Sequence, residues 1–72
     1  MVHEIVNTGA DFVLHVPDDV PNFTEYREGA LIWTGDGREY RVHGEPQYIV
    51  FPNRDVKPGQ RAGLMVRGDG VR

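Results

Sequence analysis

The sequence predicts an all-β fold of about five to seven short strands, and three observations carry that prediction. Fourteen of the 72 residues are Gly or Pro, so closely spaced that no stretch between them holds a three-turn helix with an i, i+3, i+4, i+7 apolar stripe. The intervening segments instead alternate or run apolar over four to six residues, the span of a strand. Thr34-Gly35-Asp36-Gly37-Arg38 sets an Asp-Gly pair between two such segments, and Asp-Gly supplies the positive φ angles of a two-residue hairpin turn.

Taken in order, Asp11 to Val16 alternates, with Phe12, Leu14 and Val16 on one face. Ala30 to Thr34 is a short apolar run. Arg38 to His43 alternates again, with Tyr40 and Val42 on one face, and Gln47 to Phe51 and Gly63 to Val66 are two further short apolar strands. Two longer connections, Pro17 to Asn22 and Pro52 to Gly59, are rich in Pro, Asn and Asp, and long loops in a small domain are frequent seats of function.

A weak internal repeat refines the architecture. Gly29-Ala30-Leu31-Ile32-Trp33-Thr34-Gly35-Asp36-Gly37 recurs 33 residues later as Ala62-Gly63-Leu64-Met65-Val66-Arg67-Gly68-Asp69-Gly70. A solenoid needs at least three units, so two copies of a strand-turn element predict pseudo-two-fold symmetry in a closed β domain. That is the pattern of a small barrel or barrel-sandwich hybrid such as the lipoyl and biotinyl carriers. The likeness to those carriers is architectural only: their modified lysine belongs on a tight exposed hairpin between hydrophobic residues, whereas Lys57, the sole lysine, sits in a Pro-flanked loop.

Composition excludes several function classes. A domain of this size buries only about 60% of its unfolded surface, and with no cysteine neither a disulfide nor a Cys-based zinc site can support it. Its core must come from well-placed apolar strands or from a partner surface. The apolar runs fall far short of the roughly 20 residues that span a bilayer, and Met1-Val2-His3-Glu4 begins no signal-peptide pattern, so a cytoplasmic location is expected. A net charge of −3 argues against a nucleic-acid footprint. The sequence lacks Ser as well as Cys, which removes Ser–His and Cys–His nucleophilic chemistry.

The remaining chemical candidates are few. His3, His15 and His43 stand in no H-x-x-E or H-E-x-x-H context and read as surface or edge residues. Asp18 and Asp19, ahead of Val20-Pro21, read as a solvated turn. Asn22-Phe23-Thr24 is a glycosylation sequon only in a secretory context, and Arg67-Gly68-Asp69 reads as a terminal turn. The aromatic residues Phe12, Phe23, Tyr26, Trp33, Tyr40, Tyr48 and Phe51 are expected in the core, the alternative being a base-stacking platform. The loop after Tyr48-Ile49-Val50-Phe51 is more informative. Pro52 ends strand pairing, and Asn53, Arg54, Lys57, Gln60 and Arg61 then gather three cations and two amides in a net acidic chain. Such a loop suits an anionic, carboxylate-bearing ligand, because arginine binds carboxylates through a two-pronged contact; a plainly solvated loop is the other reading.

Several blocks carry a resemblance. Asn22-Phe23-Thr24, Gly29-Ala30-Leu31-Ile32, Asp36-Gly37 and Tyr40-Arg41-Val42 are followed by Tyr48-Ile49-Val50-Phe51-Pro52-Asn53 and Val56-Lys57-Pro58-Gly59-Gln60-Arg61-Ala62-Gly63-Leu64-Met65. Together they resemble the C-terminal signature of the succinylglutamate desuccinylase and aspartoacylase family, the desuccinylase side most closely, from about Asp11 onward. Phe51, Pro52, Asn53, Gly59, Arg61, Ala62 and Gly63 match the signature. Val56, Lys57 and Pro58 stand where aspartoacylases place aromatic and acidic residues.

The resemblance implies that residues 1–72 form a single β domain, the C-terminal domain of a longer bacterial zinc amidohydrolase of arginine catabolism. The zinc ligands and catalytic Glu would lie in a larger N-terminal domain of the same polypeptide; their motifs do not occur in this chain, which therefore has no catalytic residue and binds no cofactor of its own. The domain would pack on that partner and shape access for an anionic acyl amino acid, with Asn53, Arg54, Lys57 and Arg61 as substrate-access candidates. Asn53 either orients a ligand or simply caps the turn, and the cap is the preferred reading. A competing reading is a free-standing β-barrel module that binds a protein or nucleic acid. The first reading requires a contiguous apolar patch on one face.

Overall fold

The computed structural model describes residues 2–17 and 19–68. Seven strands form, in order β1 (His3–Val6), β2 (Val13–Leu14), β3 (Thr24–Tyr26), β4 (Leu31–Gly35), β5 (Arg38–Arg41), β6 (Gln47–Val50) and β7 (Arg61–Arg67). They make a four-stranded sheet in the order β1-β7-β6-β3 and a three-stranded sheet in the order β2-β4-β5, with every pairing antiparallel. The all-β expectation and the strand count both hold.

The strongest local prediction is met at the β4–β5 hairpin. Gly35 pairs with Arg38, leaving Asp36 and Gly37 as the two turn residues, with φ of 54° and 71°. Both angles are positive, as a type I′ turn requires. Asp11 supports the turn from outside the hairpin, its Oδ2 accepting the Asp36 N–H at 2.9 Å.

The two copies of the repeat become β4 and β7, each paired on both sides, one in each sheet. Corresponding residues Ile32 and Met65 are both fully buried and meet in the same core. Asp69 and Gly70, the end of the second copy, lie outside the described residues, as does Asp18 of the expected acidic turn. Inward residues from both sheets complete the core: Ile5, Leu14, Val16, Trp33, Val42, Ile49 and Ala62. Burying each large aliphatic side chain contributes about 1.5–3 kcal/mol.

Boundaries shift where tertiary pairing overrides the local pattern. The alternation over Asp11–Val16 persists in burial, since Leu14 and Val16 are buried and Val13 is exposed, but only Val13 and Leu14 are in ladder register with β4. The strand expected to reach His43 stops at Arg41; Val42 continues through single bonds, accepting from Gly29 N–H and donating to Ala30 O. β7 starts at Arg61 because that residue pairs with Val6. Two strands lie outside the expected segments, β1 and β3. Each is short, and only Ile5 of β1 and no residue of β3 is fully covered, so neither carries a strong periodic signal.

A polar seam joins the sheets. The Trp33 indole N–H donates to His3 Nε2 at 3.0 Å, and the Tyr40 ring stacks on His3 with centroids 4.0 Å apart and planes 7° from parallel. The Tyr40 hydroxyl in turn donates to Oε1 of buried Gln47 at 2.6 Å. An indole only donates, so His3 Nε2 must carry a lone pair and the imidazole must be neutral. Burial, outweighing the opposing charge of Glu4, holds the His3 pKa below its ordinary value.

Two outcomes are expected. The unfolded chain binds a proton at His3 more readily than the folded one. Stability is therefore full above the ordinary imidazole value of about 6.5 and is lost as pH falls from there through the lowered folded value. Thermal unfolding between pH 7.5 and 5 checks this, and His3→Gln, whose amide oxygen still accepts from Trp33, should flatten that dependence. Separately, a Cβ on Gly35 would sit 2.3 Å from Thr8 Oγ1 and 3.2 Å from the Phe12 Cα. Gly35→Ala should therefore cost about 1–3 kcal/mol of overpacking; an unchanged urea midpoint would contradict this.

Candidate functional site

The segment linking β6 to β7 begins at a backbone singularity. Val50 is buried at the end of β6, and the next residue, Phe51, turns to a φ of 53° with its side chain 67% exposed. Its N–H donates to Asn22 Oδ1 at 2.7 Å. Beside it, at the same end of the β3–β6 ladder, Phe23 has a φ of 66°, is 52% exposed, and donates its N–H to Ile49 O at 2.6 Å. The core placement expected for the aromatic residues fails at these two positions and at Tyr48, which stays outside the core cluster with its hydroxyl donating to Glu25 Oε2 at 3.2 Å. Each phenylalanine sits where the chain leaves or enters the ladder, and the left-handed turn there carries the side chain outward. A bulky residue in that region is strained, at a cost of about 1–3 kcal/mol each.

Beyond Pro52 the loop is clamped by Asn7, just past β1. Asn7 Nδ2 donates to Val56 O at 2.9 Å, Asn7 N–H donates to Gln60 O at 3.0 Å, and Gly59 N–H donates to Asn7 O at 2.8 Å. Asn7 Oδ1 accepts the Gly9 N–H at 2.9 Å. Within the loop, Gln60 Oε1 accepts the Lys57 N–H and Asn53 Oδ1 accepts the Asp55 N–H, each at 3.0 Å. Val56 packs on the core. The loop is thus tied at both ends and in its middle.

The four access candidates separate. Asn53 and Arg54 line a cleft of about 190 Å³ together with Leu14, Pro17, Pro52 and Asp55. Asn53 caps the turn through its side chain, and Arg54 Nη2 donates to the Val16 carbonyl across the cleft. Lys57 is exposed farther along the loop, and Arg61 pairs with Glu4 of β1 at 2.8 Å; neither lines the cleft. The Arg61–Glu4 pair is well exposed, so water and salt limit it to about 0–1 kcal/mol. Small-molecule sites typically enclose about 300–1,000 Å³, so the cleft has the dimensions of part of a site.

A larger, more open depression of about 380 Å³ is lined by Val2, His43, Glu45, Gln47 and Arg67 and shares none of these residues. It mixes both charge signs. His15 is exposed and hydrogen-bonded to Thr34 Oγ1 at 2.8 Å, so the three histidines occupy three separate places. Among the described residues no three His, Cys, Asp or Glu side chains gather as a metal-ligand set, so these residues do not fit a zinc ion. The cleft sets the Arg54 guanidinium, which donates to the Val16 carbonyl, beside the Asn53 amide and the Asp55 carboxylate, so it carries both charge signs.

Asn7 was not singled out from the sequence, and Leu14, Pro17 and Asn22 were read only as an inward strand residue, the start of a loop and part of a sequon. Their roles depend on contacts 29 to 49 residues away along the chain, and the one local hint was Asn22 preceding an aromatic residue. Asn7→Ala should loosen the loop, costing about 1–3 kcal/mol for the orphaned carbonyl and amide and speeding hydrogen exchange at Gly9 and across residues 56–60. Unaltered exchange there would show that the loop holds itself.

The AstE/AspA barrel-sandwich hybrid domain family matches residues 1–68. The succinylglutamate desuccinylase of Burkholderia pseudomallei is 44% identical over 66 residues, covering 92% of this chain and 19% of that protein. The Serratia proteamaculans desuccinylase is 40% identical over 62 residues, covering 86% and 19%. The X-ray structure of the Vibrio parahaemolyticus desuccinylase superposes with a TM-score of 0.79 at 36% identity, over 92% of this chain and 20% of that one. The chain thus spans about a fifth of the length of the relatives it matches. No helix among the described residues is long and apolar enough to cross a membrane. With two antiparallel sheets closed on one core and a match along almost its whole length, the chain belongs to the AstE/AspA barrel-sandwich hybrid domain family.

Proposed function

We propose that this chain is an accessory domain of a succinylglutamate desuccinylase, a cytoplasmic bacterial enzyme of arginine catabolism that hydrolyses N-succinylglutamate to succinate and glutamate. The observation that carries this reading is 44% identity over 66 residues to a protein of that name, of which the match is only 19%. Four-fifths of such a polypeptide is left to hold the chemistry. In this reading zinc and the catalytic groups belong to that larger portion, where a bound zinc ion would polarise the scissile amide and activate water.

The domain's own contribution is packing and substrate access. The substrate carries several carboxylates, and in this reading Arg54, which lines the cleft with Asn53 and Asp55 and donates to the Val16 carbonyl, steers one of them by its charge. Lys57, exposed on the same clamped loop, and Arg61 at its end add long-range positive potential, which Glu4 partly offsets at Arg61. A preformed loop supports this role because little ordering entropy remains to be lost when ligand arrives.

The test is a full-length chimera in which residues 1–68 replace the matching segment of the Vibrio parahaemolyticus desuccinylase. It should hydrolyse N-succinylglutamate, while the 72-residue chain alone should show no turnover. Turnover by the chain alone, or a folded but inactive chimera, would sink the division of labour. In the chimera, Arg54→Ala should raise KM by roughly ten- to hundredfold with a smaller change in kcat, the loss of one charge-assisted contact of about 1.5–3 kcal/mol. An unchanged KM would remove Arg54 from the access route.

A further inference from the structure

We propose that Phe23 and Phe51 form the ridge by which this domain seats on the larger portion of the desuccinylase polypeptide, entering an apolar depression there. This inference rests on the accessory-domain reading and names the contact that reading requires. Phe51 and Phe23, at 67% and 52%, are the most exposed large hydrophobic side chains among the described residues. Both have left-handed backbone, at φ of 53° and 66°, a conformation that glycine would adopt without strain. The fold therefore needs the turn at these positions but not the phenyl rings.

Both turns are also held in place. The Phe23 N–H is spent on Ile49 O, a residue with no exposure, and the Phe51 N–H on Asn22 Oδ1. Strain maintained by specific bonds, and used to put two large apolar groups in water, points to a surface that covers them. They stand at one end of the β3–β6 ladder, with β3 on the sheet edge, and Phe51 leads directly into the cleft residues Pro52 and Asn53. Seating Phe51 would therefore set the cleft against the same neighbour.

The area decides between occupants. Two aromatic side chains bury at most about 150–250 Å² each, well below the roughly 800 Å² per partner of a stable complex between free molecules. A second copy of the chain could not be held by this ridge alone. A neighbour within the same polypeptide could, because tethering supplies a millimolar effective concentration. The relatives, about five times longer than their matching segment, provide such a neighbour.

The experiment uses the full-length chimera described above and measures protease cleavage at the segment boundary together with calorimetric unfolding. Phe23→Ser/Phe51→Ser should accelerate boundary cleavage by roughly tenfold and split one unfolding transition into two. Val13→Ser, which removes an exposed apolar residue away from the ridge, should do neither. The same double substitution in the 72-residue chain should leave its unfolding midpoint unchanged or raised; if it unfolds that chain, Phe23→Gly/Phe51→Gly, which suits both backbone angles, replaces it under the same criteria. Wild-type cleavage in an active double-variant chimera overturns the ridge while leaving the accessory-domain reading intact. An inactive unsubstituted chimera overturns both. A concentration-dependent dimer of the 72-residue chain that the double substitution abolishes would reassign the ridge to self-association.

Discussion

Ile5, Ile32, Ile49 and Met65 have no solvent exposure, and they come from β1, β4, β6 and β7, two in each sequence half of the domain. Everything else in the structure depends on that meeting of inward side chains. A domain this small, without disulfides, has little interior to spare, so each inward position must be apolar and each turn must bring the next strand back promptly. The internal repeat serves the same end. Its copies place equivalent strands at paired, interior positions of the two sheets, where Ile32 and Met65 share one core.

Around that core, polar groups lock what apolar contacts leave undetermined. Hydrophobic contact tolerates sliding, whereas the chain of Trp33 to His3 and Tyr40 to Gln47 allows one relative placement of the sheets. No buried side-chain nitrogen or oxygen among the described residues lacks a partner. Asn7 does for the β6–β7 loop what the seam does for the sheets. One side chain and its backbone bind Val56, Gly59 and Gln60, so a ten-residue excursion with two prolines becomes a fixed feature of the surface.

That fixed surface is where fold and function meet. The exposed, strained Phe51, the cleft residues Asn53 and Arg54, and the stretch clamped by Asn7 follow one another along the chain, with Phe23 at the same end of the β3–β6 ladder. Glycine would adopt either turn without the backbone strain the two phenylalanines carry. Their presence, with a cleft smaller than a complete ligand site, fits a domain whose surface is finished by a neighbour. Membership in a family whose members are about five times longer than this segment gives the same picture from sequence.

Much of the fold was legible in the chain because its signals are local. Gly and Pro spacing excludes long helices, Asp36-Gly37 dictates a primed turn, and alternation over Phe12, Leu14, Val16, Tyr40 and Val42 marks inward faces whatever the strands pair with. The loop's composition likewise flagged Asn53, Arg54, Lys57 and Arg61. Tertiary structure alone decided how those four separate, since Arg54 turns to Val16 and Arg61 to Glu4, partners 38 and 57 residues away. It also decided that β1 and β3 are strands at all, because their ladders are supplied by β7 and β6. His3, read as a surface or edge residue, does lie on the edge strand β1 but accepts a part-buried hydrogen bond from Trp33, and Phe23 and Phe51, read as core, are exposed. Hydropathy records what a side chain prefers; where the chain enters or leaves a ladder, backbone angles and distant hydrogen bonds determine where it points.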